Sequence, residues 1–191
     1  MKKLLFLILP VVFLLSGCET KKFTVVGNIN IDREFQVDKT GSFTENSTIN
    51  AQDVNDDLDL PDDAVIVDVN IESISAKIVA LEGNQTNAVT INGKIQTGTT
   101  ELQLFNNLVI SIPAGSNDYS ALNTLLSEGV QKLRSKIEDY VKNNEFSPIT
   151  IKINGDSSPT TGKRVHIQIL LKISGSVTYY KDVSLPFFIG G

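Results

Sequence analysis

The sequence has no tryptophan, one cysteine and one histidine in 191 residues. The lone cysteine, Cys18, rules out a disulfide within the chain and a cysteine cluster around a metal. The lone histidine, His166, rules out a histidine-rich metal site. Any Ser-His-Asp arrangement would have to use it as the base, yet no Gly-x-Ser-x-Gly elbow offers the nucleophile. His166 lies between Val165 and Ile167, in the polar phase of a strand pattern, and reads as an exposed strand residue. Glycine-rich phosphate loops are missing as well: Gly93, Gly98 and Gly115 fit neither common pattern. Basic residues are in the minority, 17 against 22 acidic. That argues against nucleic acid, whose binding needs clustered Lys and Arg. Long apolar runs are also lacking. The longest, Leu4 to Leu15, would rise only about 18 Å as a helix, whereas a bilayer core of about 30 Å needs roughly 20 apolar residues.

That short run is nevertheless informative. Lys2 and Lys3 precede it, Pro10 lies inside it, and Leu15-Ser16-Gly17-Cys18 ends it. A positive start, a short apolar segment and small residues before a cleavage point are the marks of a signal peptide. The tetrapeptide resembles the lipobox of bacterial lipoproteins. The resemblance implies that Leu15, Ser16 and Gly17 are read by the signal peptidase and that the chain is cut before Cys18. It further implies that Cys18 carries diacylglycerol as a thioether, with acyl chains such as palmitate. Two or more acyl chains hold a protein on a membrane stably. In enterobacterial lipoproteins an aspartate after the cysteine favours inner-membrane retention; Glu19 does not carry that signal clearly, and the outer membrane is the expectation. Three segments are expected: a signal peptide at 1–17, an anchor and short tether at 18–22, and a single β-rich domain at 23–191. Four tether residues, Glu19 to Lys22, reach at most about 14 Å. Without Lys2 and Lys3, the chain from Cys18 carries 15 basic and 22 acidic residues, a balance of −7. Lys21 and Lys22 would then sit at the headgroups.

Beyond the tether, apolar residues alternate. Phe23, Val25, Gly27, Ile29 and Ile31 share one parity, and Phe35 and Val37 continue it. Lys39 to Ser42 reads as a turn, and Phe43 to Ala51 as an edge-like strand. Val65, Val67, Val69 and Ile71 alternate, then the parity flips to Ile74, Ala76, Ile78 and Ala80. A one-residue slip inside a strand is a β-bulge, expected at Glu72-Ser73. Further strands are expected at Val89–Ile95, Leu102–Ile112, Ile149–Ile153 and Val165–Ile173. From Val177 to Ile189 the chain finishes in strand. One helix is expected at about 118–143, with Leu122, Leu125, Leu126, Val130, Leu133, Ile137, Tyr140 and Val141 on one stripe. Gly129 beside that stripe costs about 1 kcal/mol of helix propensity and suits close approach to a sheet.

These elements give a mainly β (α+β) domain. About eight strands with short connections should pair antiparallel, and the apolar face must be covered. The favoured arrangement is a curved sheet folded into a β-sandwich, with the long amphipathic helix closing part of the core. A single sheet wrapped on the helix is the alternative.

Six aspartates fall between 53 and 63. Asp53, Asn55, Asp57 and Asp59 alternate as oxygen ligands do in calcium loops, but an EF-hand would need glycine where Leu58 stands and glutamate where Ala64 stands. A solvated acidic loop is the expectation, with those four as weak candidates, and no cofactor is implied. Pro61 stops any short helix. Tyr179-Tyr180 and Phe187-Phe188 are doublets of which one member each could be exposed. No convergent catalytic groups are visible. The expected role is therefore a non-catalytic one: an envelope lipoprotein that meets the membrane through its anchor and binds a protein partner or helps assembly. A carrier or sensor of an apolar ligand, held between helix and sheet, is the alternative.

Overall fold

The structure is a computed structural model and describes residues 19–56, 58, 60–112, 118–143, 145–157 and 162–185. Its strands are β1 (Glu19–Thr40), β2 (Phe43–Ile49), β3 (Val65–Ala80), β4 (Ala88–Thr97), β5 (Thr100–Ser111), β6 (Ser120–Ala121), β7 (Ile149–Ser157) and β8 (Arg164–Leu185). Helix α1 (Ala51–Asn55) lies between β2 and β3, and α2 (Ser127–Asn143) between β6 and β7. Eight strands form two antiparallel sheets, ordered β1-β8-β3-β6 and β2-β7-β4-β5. This is a two-sheet arrangement, not one sheet around a helix.

The alternation builds the core directly. Ile29, Ile31, Phe35 and Val37 of β1 are buried, with Val165, Ile167, Ile169, Leu171 and Ile173 of β8 beside them. Val89, Ile91 and Ile95 of β4 and Ile149, Ile151 and Ile153 of β7 belong to the same core. Each such side chain contributes about 1.5–3 kcal/mol when fully buried. The parity flip on β3 is a bulge where expected: the register with β8 shifts between Ile71 and Ser73, and a second shift lies between Ile66 and Asp68. Gly175 faces Ile71 there, and a Cβ on it would collide with the Asn70 carbonyl oxygen.

The two sheets differ in length. β1 and β8 have 22 residues each and stay in register from Glu19↔Leu185 to Thr40↔Arg164. The longest strand of the other sheet has 12 residues. At about 3.3 Å per residue the long sheet runs roughly 70 Å and the short one roughly 40 Å. The chain passes between sheets at the Thr40 end, through Gly41 and Ser42 into β2 and from Ala80 towards β4. The surplus length therefore overhangs at the Glu19 end.

Three expectations need correcting. Glu19 to Lys22, read as a tether, is already the start of β1, paired with Asp182 to Leu185; polar residues there hid a strand that its partner decides. The expected helix at 118–143 begins only at Ser127. Before it, Ser120 and Ala121 pair with Ala76 and Ser75, and the Leu122 N–H donates to the Ile74 carbonyl at 2.9 Å. Leu125 then bridges Phe105, and the Leu126 N–H donates to the Leu104 carbonyl at 2.8 Å. Residues 120–126 thus clasp the two sheets together, through β3 on one and β5 on the other. The third correction is α1, a turn of helix where an acidic loop was expected. Its capping box joins Asn50 and Asp53, which satisfies amide groups that Pro61, farther on, does not disturb.

The rest of α2 is as its stripe implies. Leu133 and Ile137 are buried, and Gly129 lies against the β5 backbone, where a Cβ would sit 2.9 Å from Leu104 Cα. Lys142 pairs with Glu138 at 2.5 Å.

Candidate functional site

The overhang gathers most of the exposed large apolar side chains among the described residues. Along β1, Ile29 and Ile31 are buried, Val25 and Gly27 are half-buried, and Phe23 is 45% exposed. The side-chain period of a strand places Phe23 on the face that farther along makes the core. Val26, 62% exposed, lies on the opposite face. Across that outer face, Tyr180 stands opposite Thr24 on one side and Val65 on the other, and Val26 stands opposite Thr178. Val67 is set beside them by the first β3 bulge. Among the described residues, eight large apolar side chains are exposed; Phe23, Val26, Val65, Val67 and Tyr180 are five of them. Lys21, Lys22 and Lys181 share this end, with Asp182 opposite Lys22. On the outer face Val26, Val65, Val67 and Tyr180 neighbour one another in the register, and clustered exposed apolar side chains mark an interaction surface.

The residues singled out from the sequence are distributed as follows. Leu15, Ser16, Gly17 and Cys18 lie outside the described residues, but the described chain starts at Glu19, at the tip of the overhang. Asp57, Asp59, Phe187 and Phe188 also lie outside them. Asp53 and Asn55 are both in α1, where residues two apart do not face each other. They are therefore not a pair of alternating ligands. Asp53 accepts the Asn50 N–H at 2.6 Å and lies 2.5 Å from the Arg33 guanidinium. Among the described residues, no three His, Cys, Asp or Glu side chains converge to hold a metal. Of the tyrosine doublet, Tyr179 is buried and Tyr180 exposed, as strand geometry requires.

His166 is half-buried at the Thr40 end. Its Nδ1 lies 2.6 Å from the Glu82 carbonyl oxygen, and its backbone N–H donates to Asn84 Oδ1 at 3.1 Å. Beside it Arg164 grips Asp38 with two hydrogen bonds, at 2.7 and 2.9 Å. The Arg164 hydrogen bonds hold the Asp38 carboxyl below its ordinary value and push Arg164 up. A shallow depression of about 260 Å³ opens between Asp38, Glu45 and His166. On the short sheet, Glu101 is held low by hydrogen bonds from Lys152 and Lys94, each at 2.9 Å. These carboxylates are engaged in ion pairs on strand surfaces.

An open cleft of about 480 Å³ lies between the sheets, lined by Ala76 and Ile78 of β3, Leu108 and Ile110 of β5, and Ser120 and Asp118. Its volume falls in the range of small-molecule sites.

Sequence reading passed over Arg33. It occupies the inward parity between Ile31 and Phe35, with its side chain only 12% exposed. A charge at a core-facing position of a strand was the signal for a buried ion pair. Its Nε and Nη2 are buried without an aligned hydrogen-bond acceptor among the described residues, Asp53 supplying charge and not linear geometry.

Comparison with known proteins finds no matching family model, no matching curated protein and no matching solved structure. Among the described residues, no helix is long and apolar enough to cross a membrane.

Proposed function

We propose that this chain is a lipid-anchored protein of the bacterial cell envelope, held on the outer membrane through Cys18, with a non-catalytic binding or assembly role. The observation that carries the reading is one of continuity. Glu19, the residue after Cys18 in the sequence and the first described one, is already paired in β1, and the apolar overhang is built on that same strand. A lipid on Cys18 would hold this end against the bilayer with no linker between.

The non-catalytic role is supported by the state of the polar side chains. Glu101, Asp38 and Asp68 are each engaged by lysine or arginine, and His166 Nδ1 faces a backbone carbonyl. Where an apolar ligand would lie between helix and sheet, the two approach closely: Gly129 brings α2 onto the β5 backbone, and Leu133 and Ile137 are fully buried. The cleft beside Ile78 and Ile110 favours a second reading, a carrier of a small apolar ligand. Its open, partly polar wall makes it the weaker one.

Membrane fractionation of Cys18→Ser tests the proposal. The variant should accumulate as an uncleaved precursor or leave the outer-membrane fraction. Unchanged cleavage and retention would overturn the anchor.

A further inference from the structure

We infer that the overhanging end of the long sheet is itself a lipid-contacting surface, with Phe23, Val26, Val65, Val67 and Tyr180 seated at the boundary between headgroups and acyl chains. The inference rests on the anchored reading, because it takes the bilayer to lie at Glu19.

Two observations favour lipid over a protein partner, and a third sets the depth at which the ribbon sits. The first is that the exposed apolar residues are on both faces of the same ribbon. Phe23 has the inward parity of β1, whereas Val26 has the outward one, together with Tyr180 and Val65. A docking partner covers one face; a medium surrounds both. The second is the type and placement of the residues. A phenylalanine and a tyrosine stand among valines, with Lys21, Lys22 and Lys181 in the adjoining register. Aromatic rings prefer the interfacial zone, and lysine stems reach along apolar surface to keep the ammonium in water. The third is the edge backbone. Among the described residues, β1 is the edge of the long sheet, and β6, the second neighbour of β3, reaches only Ser75 and Ala76. Edge N–H and C=O groups cannot be satisfied in hydrocarbon. The ribbon is therefore held at headgroup depth, where water and lipid phosphates supply partners, and does not penetrate further.

The absence of tryptophan gives a clean experiment. Tyr180→Trp introduces a single indole at a site 40% exposed, and Val109→Trp places one at a site 64% exposed on β5, away from the overhang. Each full-length variant, purified from membranes, is reconstituted in phosphatidylcholine vesicles with and without bromine on the acyl chains. Intact mass reports separately whether Cys18 carries lipid. The Tyr180→Trp indole should shift to the blue and lose most of its emission to brominated lipid. The Val109→Trp indole should do neither, and high salt should leave the contrast unchanged, because burial and not charge drives the contact. If Cys18 is lipidated and the Tyr180→Trp indole is not quenched, the lipid-contact inference is overturned while the anchor stands. If Cys18 is bare, the anchor fails; quenching on vesicles added to that chain would still uphold the surface, and its absence there would overturn it. Should Tyr180→Trp not fold, Val26→Trp on the same outer face serves with the same outcomes.

Discussion

The Arg33 guanidinium lies 2.5 Å from Asp53 Oδ2, tying the middle of β1 to the short helix α1. The arginine is the more deeply buried partner, with its side chain 12% exposed against 31% for Asp53. That asymmetry makes the two truncations unequal. Asp53→Asn strands a buried cation and should cost about 1–3 kcal/mol. Arg33→Met removes the charge and fills the same space, leaving Asp53 with the Asn50 N–H and water, and should cost less. Urea unfolding orders the two variants; a costlier Arg33→Met would contradict the account.

The same pair sets a pH dependence. Burial pushes the Asp53 carboxyl up, but the Asn50 N–H and the Arg33 guanidinium outweigh it and hold it below its ordinary 3.8. A carboxyl lowered in the folded state stabilises fully above its unfolded value of about 3.9. That stabilisation is lost as pH falls through the lowered folded value. The urea midpoints of wild type and Asp53→Asn should therefore stand apart at neutral pH and converge as pH falls through that window. A gap that stays constant into strong acid would show that Asp53 acts by packing alone.

Gly129 decides how closely α2 approaches the short sheet. In an unpacked helix, Gly129→Ala would gain about 1 kcal/mol of propensity. Here the added Cβ meets the Gln103 carbonyl and lies 2.9 Å from Leu104 Cα. Overpacking against backbone costs about 1–3 kcal/mol, so the variant should unfold at lower urea than wild type. A stabilised variant would mean that the helix rides farther from β5.

What was legible in the sequence was whatever repeats with a period. The parity of Ile29 to Val37 and of Val165 to Ile173 marks β1 and β8, and its slip marks the bulge at Glu72. The start of α2 was not legible. Leu122, Leu125 and Leu126 have helical spacing, yet the backbone amides of Leu122 and Leu126 are satisfied by β3 and β5. Periodicity reports burial, not which carbonyl an amide finds. α1 was missed because a five-residue helix is too short to show a stripe. The Arg33–Asp53 pair joins residues on separate elements, and only the odd charge in the β1 core pattern hinted at it. The overhang follows from pairing β1 with β8 along their whole length, which neither strand announces alone.

The central claim is that the chain is cut before Cys18 and carries lipid there, one residue before the first described residue, Glu19. Mass spectrometry of the amino-terminal tryptic peptide from the membrane-purified protein tests it most directly. The account predicts a peptide running from Cys18 to Lys21 with diacylglycerol on the sulfur, and no species retaining residues 1–17. An unmodified Cys18, or a mature chain that still begins at Met1, would contradict it.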